Sequence, residues 1–516
     1  MKVSSRLLAL ALVLALGAAT VAVGCKTAVS EKILVIGTTD SPTTLDPADA
    51  YDYFSSNILN NTAETLVAYE PGTSDIVECL ATDWTISEDG LTYVFTIREG
   101  VKFHDGTDLT AEAVKFSLDR ARTIEGDPGF LLDDIEAIEV TGDYEVTITL
   151  SHPSSPFVSK LAYTVACIIS PAAYSATEMK PTEIVGTGPY KLESPWVEGN
   201  PITLVRNPDY WGTPAFADKV VCQFYSNSAA LKLAIEQKEV DVAYRTFNPL
   251  EEQGLKANSD LICLDGPSPY IRYLVLNVTR PPFNSVNIRK AIAYAVDRPA
   301  ICEQVFSGTA APLYSMVPDG MWSYKPVFKT DTEPDIEAAL GELAGAGYTP
   351  ERPLTIQLWY TPTHYGDTEA DLAQVLKSQL EATGAIQVEL MSSEWGRYTD
   401  DLRAGSMGLL LLGWYPDYFD PDDYVYPFLS TEGARSMGSF YSSAVMDQLL
   451  LDQVQLTTPE ERTPILEQVQ DLLCQDLPNI PLYSGTQFVA FQKDVTGVIL
   501  DPLQIFRYYL ISKEGW

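Results

Sequence analysis

Between residues 354 and 424 the chain alternates apolar runs of strand length with amphipathic runs of helix length, and this alternation leaves few folds open. Leu354–Tyr360 (LTIQLWY) reads as a strand. Glu369–Thr383 places Leu372, Val375, Leu376, Gln379 and Leu380 on one helical stripe and stops at Gly384. Ile386–Met391 is a second strand. Ser393 is positioned to cap a short helix over Glu394–Ala404, closed by Gly405, and Gly408–Trp414 is a third strand. Such a β-α-β-α-β run predicts a parallel sheet with right-handed crossovers. Open sheets of this kind bind ligands outside the carboxyl ends of their strands, so the loops Thr361–Asp367 and Trp414–Asp423 are expected to line one crevice.

The second of these loops lies in LLLLGWYPDYFDPDDY (Leu409–Tyr424). Leu409–Leu412 is too short for a membrane span and is flanked by glycines, so it reads as a buried strand delivering Trp414, Tyr415, Asp417 and Tyr418 to the crevice. A carboxylate in a water-poor site needs a cation or donor opposite it, which makes Asp417 a candidate anchor for an amine. Trp414, Tyr415, Tyr418, Trp359, Tyr360 and Tyr365 would form walls that accept varied side chains and attract cations. Strand edges can also satisfy the main chain of an extended ligand. The residues alone leave open that Asp417 is a solvated turn residue and that the aromatics are core.

A second βαβ unit lies earlier in the chain. Lys32–Gly37 is the first strand and leads into a turn-rich loop, Thr38–Ala48. Ile202–Arg206 and Val220–Tyr225 are strands, Asn227 can cap the next helix, and Val240–Tyr244 closes the unit. Residues 55–185 read as antiparallel in style. Asn57–Tyr69 has helical spacing, Leu91–Arg98 and Val101–Phe103 are strands, Thr110 begins a helix, and Glu136–Val140 with Glu145–Leu150 forms a hairpin. Gly186-Thr187-Gly188-Pro189 reads as a tight turn. Gly266-Pro267-Ser268-Pro269 is the best linker candidate, and the strand Tyr273–Asn277 and helix Asn287–Val296 would open a second lobe beyond it. The helix Pro459–Gln475 precedes strand-like Phe488–Phe491 and Gly497–Leu500. Two separated βαβ units in 516 residues predict two α/β lobes rather than one large sheet.

Composition removes several functions. A formal net charge of −36 opposes nucleic-acid binding and a polybasic hold on anionic lipid. Lys2 and Arg6 precede the apolar stretch Leu7–Ala19, which reads as an export signal. Ala22-Val23-Gly24-Cys25 resembles a bacterial lipobox, in which Cys25 would be lipid-modified; an ordinary secretory signal cut near Ala22 is the alternative. The other six cysteines, none in a CxxC pair, fit buried thiols at least as well as disulfides. His104, His152 and His364 are not at ligand spacing, so no protein-built zinc site is expected. The Gly186 stretch lacks a phosphate-loop ending, no G-x-S-x-G or H-E-x-x-H occurs, and Phe419 with a missing glycine spoils a calcium loop through Asp417, Asp420, Asp422 and Asp423. A hydrolase working through two carboxylates stays open from the residues alone.

Six segments together resemble the family 5 extracellular solute-binding proteins of ABC importers, the group of dipeptide-, oligopeptide- and nickel-binding proteins. They are Leu80–Arg122, GTGPYKL (Gly186–Leu192), RNPDYWG (Arg206–Gly212), Leu274–Arg298, GWYPDYFDPDDY (Gly413–Tyr424) and LPNIPLY (Leu477–Tyr483). The resemblance implies an α/β, two-lobed periplasmic-binding-protein fold (type II, cluster C-like) with an extra α+β subdomain. A signal peptide over residues 1–24 and a tether over 25–30 would precede lobe I, residues 31–271 with 488–516. The extra subdomain would fall within it at about 55–185, and lobe II would be 272–487. It implies a monomeric, extracytoplasmic, lipid-anchored receptor without enzymatic activity or cofactor. The receptor would capture di- or oligopeptides by hinge closure and deliver them to a membrane permease.

In peptide-binding relatives the aspartate matching Asp417 pairs with the ligand's α-amino group, and the loop matching Thr38–Leu45, with Thr39 and Asp40, contacts the ligand backbone. Dipeptide binders place an arginine after the strand matching LTIQLWY, where this chain has Thr361-Pro362-Thr363-His364. A ligand carboxylate would then be met by another residue or left in solvent, as longer peptides allow; His364, near Tyr360, is a candidate contributor, with an exposed loop histidine as the alternative. A nickel–chelator complex, a sugar or another amine-bearing solute, a peptide sensor without a permease, and a secreted hydrolase are the alternatives.

Overall fold

A computed structural model describes residues 31–516 except 246, 363 and 367; the signal segment, Cys25 and the tether lie outside the described residues. Where the two βαβ units predict lobes rather than one large sheet, two long strands carry the pairing from one unit to the other, and one mixed sheet runs through the molecule. Its strand order is Ile386–Ser392, Leu354–Tyr360, Leu409–Trp414, Leu261–Leu276, Asn479–Gln492, Val242–Tyr244, Ile33–Thr38, Lys219–Phe224, Ile202–Arg206 and Tyr190–Leu192, with Ala311–Pro312 paired beside Asn479–Gln492. At one end the expected parallel run is present. Leu354–Tyr360 pairs in parallel with Ile386–Ser392 on one side and with Leu409–Trp414 on the other. Helices Glu369–Glu381 and Trp395–Arg403 make the crossovers, and Leu372, Leu376 and Leu380 bury the predicted stripe. Ser393 does not cap the second of them: Glu394 is at the N-cap, and the Ser393 hydroxyl is buried without a hydrogen-bond partner among the described residues.

At the other end Ile33–Thr38 lies parallel to both Lys219–Phe224 and Val242–Tyr244. The helix Ser228–Glu236 joins them, and Asn227 Oδ1 accepts the Ala230 N–H at 2.9 Å, a cap worth about 1 kcal/mol.

The two ends are joined by Leu261–Leu276 and Asn479–Gln492, an antiparallel pair that takes part in both. Gly266–Pro269 therefore lies inside a strand and not between elements, and the strands expected at Tyr273–Asn277 and Phe488–Phe491 are the ends of longer ones. Local breakers are tolerated because the ladder is itself interrupted, between Pro267 and Ile271 and again between Arg272 and Tyr273, where Pro481 sits. No strand forms at Gly497–Leu500; a short pair, Val495–Thr496 with Ser512–Lys513, takes its place.

Burial follows the same division. One core draws on residues from Ile271 to Tyr483. Two others pack on the faces of the first-strand half and include Val489, Phe491 and Phe506 from the C-terminal end. A further core fills an antiparallel sheet ordered Ala81–Ile86, Thr92–Ile97, Glu145–Leu150 and Ile135–Gly142, with the helix Ala111–Ile124 across it. Several expectations in this region change. The helical spacing of Asn57–Tyr69 divides into a helix Tyr53–Thr62, capped by Asp52, and a strand Val67–Tyr69 paired with Ile76–Glu78. Val101–Phe103 contributes only a single bridge, Lys102 with Asp108. Gly186 and Gly188 are required by close approach rather than by turn geometry: a Cβ on either would come within 2.6 Å of Ala63 Cα or the Thr62 carbonyl carbon. All six cysteines described are free thiols.

Candidate functional site

The stretch after Leu409–Trp414 carries four aspartates, and the fold gives them different tasks. Asp420 takes a bidentate pair from Arg462, both contacts at 2.7 Å. Asp422 accepts from Gln453 and from the Tyr418 hydroxyl. Asp423 accepts the Asp417 N–H at 2.9 Å and the Trp414 indole N–H at 3.3 Å. These three hold the loop in shape. Asp417 is left with its carboxylate at the junction of the two halves, 6% exposed, accepting the Tyr51 hydroxyl at 2.9 Å from the opposite side. The Tyr51 ring meets Phe130 and Tyr163 edge-on.

Burial pushes the Asp417 carboxyl up to about 7 against the lowering pull of Tyr51, and burial, with the charge of Asp417 next, pushes Asp423 well above the usual carboxylate range. Among the described residues neither acid has an ion-pair partner. Two adjacent buried carboxylates without a cation form a site that holds either a proton or a positively charged group.

The sign of the shift yields a test. A folded-state pKa raised above the unfolded value of about 4 means that Asp417 stabilises the ligand-free form below that value, and that this contribution is lost as pH rises through about 7. A bound ammonium competes with the same proton. Affinity for an ammonium ligand is therefore expected to rise several-fold between about pH 5 and about pH 7, with proton release seen by calorimetry in buffers of different ionisation enthalpy.

Beside this pair Tyr415 stacks on Tyr270, centroids 4.8 Å apart and planes at 13°. The Arg245 guanidinium lies 5.0 Å from the Tyr415 ring centre and 3.7 Å from that of Tyr53, with Asp40 Oδ2 at 3.5 Å from its Nε. Thr39 and Asp40 are half-buried at the end of the first strand. The loop beyond them is tied down by Asp46, which accepts both terminal nitrogens of Arg120, at 2.8 and 2.6 Å, and the N–H groups of Ala48 and Lys180.

On the far side His364 stacks on Trp395, centroids 3.6 Å apart, and meets Tyr365 edge-on. The residue is exposed, yet the protein packed around it, ahead of the charges of Arg272 and Arg245, pushes its pKa down to about 4, so it is neutral at pH 7. Arg272 lies under the Tyr365 ring at 3.8 Å and is paired with the buried Glu369. A guanidinium thus stands behind the loop in which the sequence carries no arginine.

The expected residues divide accordingly. Asp417, Tyr415, Asp40 and His364 surround the junction. Trp414 packs into the Ile271–Tyr483 core, edge-on to Phe428, and does not form a wall. Tyr418 is buried in the core of the antiparallel subdomain, and Tyr360 is half-buried against the Ile271–Tyr483 core. Tyr51, Asp423, Tyr270 and Arg245 were not anticipated. Arg245 had a signal, since it comes directly after Val242–Tyr244 at the carboxyl end of a parallel strand; Tyr51 had none.

Two α/β lobes sharing a pair of long strands, with buried polar groups and aromatic rings where the lobes meet, define a binding protein of the two-lobed periplasmic type. Residues 75–436 match the model of bacterial extracellular solute-binding proteins, family 5 (middle region), and the chain belongs to that family. It is 28% identical to the probable D,D-dipeptide-binding periplasmic protein DdpA of Escherichia coli K12, over 94% of this chain and 95% of that one. It superposes on the periplasmic binding protein DppA of Helicobacter pylori, solved with the peptide STSA, with a TM-score of 0.82 at 27% identity, covering 93% of this chain and 98% of that one. The dipeptide-binding protein of Pseudoalteromonas sp. SM9913, solved with Met-Leu, shares the fold with a TM-score of 0.83 at 24% identity, over 94% and 100% of the two chains. All three relatives are named as binding proteins. No helix among the described residues is long and apolar enough to cross a membrane.

Proposed function

We propose that this protein is the extracytoplasmic receptor of an ABC importer and captures di- and short oligopeptides between its lobes. The observation that carries the reading is Asp417: its buried carboxylate accepts the Tyr51 hydroxyl across the junction and has no cation paired with it among the described residues, and its own N–H is bonded to a second buried carboxylate, Asp423. A peptide's α-ammonium supplies that cation, and the Tyr415–Tyr270 stack offers a surface indifferent to side-chain identity. The names of the relatives, a D,D-dipeptide binder and a protein solved with STSA, support the same ligand class.

In this reading residues 31–271 with 488–516 move as lobe I, carrying the subdomain at about 55–185. Residues 272–487 move as lobe II, and closure bends the shared strands where their ladder is interrupted. The closed form docks on the permease. Export removes residues 1–24, and lipid on Cys25 tethers the monomeric receptor through residues 25–30.

Two measurements test this. Native mass spectrometry of protein purified without refolding is expected to reveal co-purified peptide. Calorimetry with Met-Leu and Ser-Thr-Ser-Ala is expected to show binding that N-acetylation weakens by tens-fold or more. Equal affinity for free and acetylated peptides would overturn the role of Asp417, and binding of a sugar or nickel chelate in place of any peptide would overturn the ligand class.

A further inference from the structure

Arg245 is a charged group whose surroundings do not use its full capacity. Its backbone is left-handed, φ 66°, a conformation that non-glycine residues rarely hold without a compensating role. Tyr53 covers the guanidinium at 3.7 Å, and Tyr415, from the opposite lobe, approaches to 5.0 Å. Asp40 approaches only the Nε edge, at 3.5 Å. Nη1 is buried and has no hydrogen-bond partner among the described residues. A buried N–H donor left in this state is costly, and a guanidinium presents its donors as a planar fork matched to a carboxylate. Asp40 Oδ2 is likewise without a hydrogen-bond partner among the described residues, so the ion pair is loose on both sides.

The rest of the junction shows what is missing. Asp417 and Asp423 demand a cation, whereas Arg245, held between rings from both lobes, has a donor to spare for an anion. His364, a candidate contributor to carboxylate binding, is neutral and stacked on Trp395. Arg272 also has donors without a partner among the described residues, Nε and Nη1, but its side chain is fully buried beneath Tyr365 and its charge is met by Glu369, whereas the Arg245 side chain keeps 15% of its surface exposed.

We infer that Arg245 receives the carboxylate of the ligand, so that the site selects a dipolar guest whose ammonium meets Asp417 and whose carboxylate meets a guanidinium of the first lobe. This rests on the peptide reading above and adds a specificity: peptides with a free carboxyl end are preferred to amides and to longer chains whose carboxylate falls elsewhere. Tyr415 is then the shared wall, covering both the guest and the cation that holds it.

The test is a cycle measured by calorimetry on the full-length mature protein, with Met-Leu and its C-terminal amide as probes and with Arg245→Met and Arg245→Lys as variants. In the parent, amidation is expected to weaken binding tenfold or more. In Arg245→Met the same amidation is expected to change affinity less than threefold or so, because the partner of the carboxylate is gone. Arg245→Lys, which keeps the charge but loses the fork, is expected to restore part of the dependence. The amide also serves as the folding control, since a variant that binds it is folded. Peptide binding in which parent and Arg245→Met respond equally to amidation would overturn this inference and leave the amine anchor standing. Failure of the parent to bind either probe or any other free peptide would overturn the peptide reading and this inference with it.

Discussion

Asp417→Asn is expected to weaken the binding of a free-amino peptide by tens-fold or more, and to do so without loosening the fold. The substitution keeps a group able to accept from the Tyr51 hydroxyl and removes the charge opposite the ligand's ammonium. Breaking one side of a buried charge pair costs about 2–5 kcal/mol, and every 1.4 kcal/mol or so is a tenfold change in affinity. The ligand-free protein moves the other way. Asp417 and Asp423 are adjacent, buried and short of a cation, so removing one carboxylate relieves the other, and the variant is expected to melt at or above the parent's temperature at neutral pH. Its peptide affinity is also expected to lose the rise between about pH 5 and about pH 7. Calorimetry and thermal melts read the two effects separately. Undiminished affinity would show that the ammonium sits elsewhere.

The second large effect is structural. Arg462→Met leaves Asp420 buried without its bidentate partner, and removes a donor from Gln453, which in turn holds Asp422. Stranding a buried carboxylate in this way costs about 3–5 kcal/mol, and denaturant titration is expected to show a loss of that size. Asp420→Asn combined with Arg462→Met is expected to recover part of it, because the stranded charge is then gone. Peptide affinity is expected to fall as well in the single variant, since the loop that places Asp417 is moulded by these pairs. A loss below about 1 kcal/mol would mean that the pair behaves as a solvated surface bridge.

The parallel run from Leu354 to Trp414 was legible because its signals are local: strand-length apolar runs, a helical stripe and glycine stops. The same logic exposed the first-strand unit and the Asn227 cap. The two shared strands were hidden because their signals are not local. Gly266–Pro269 and Pro481 punctuate the sequence as breakers, and only pairing across roughly two hundred residues shows that the chain stays extended through them. The site divides along the same line. Asp417 and Tyr415 could be read from a strand end rich in aromatics and acid. Trp414 and Tyr418 share that composition yet face cores, a distinction set by packing alone. Tyr51 meets Asp417 from 366 residues away, which no pattern in its own neighbourhood announces. Arg245, directly after Val242–Tyr244, stands at a strand end of the same kind.

Tyr270 lies in the interrupted part of the shared strands, stacks on Tyr415, and leans on Gly485 so closely that a Cβ there would stand 2.2 Å from its ring. In the proposed closure, pivot and contact surface would coincide in a single phenol. Under that proposal occupancy would need no relay through the protein to alter the swing of the two bodies: whatever displaces that ring would act on the fulcrum directly, and a side chain larger than hydrogen at position 485 would collide with it.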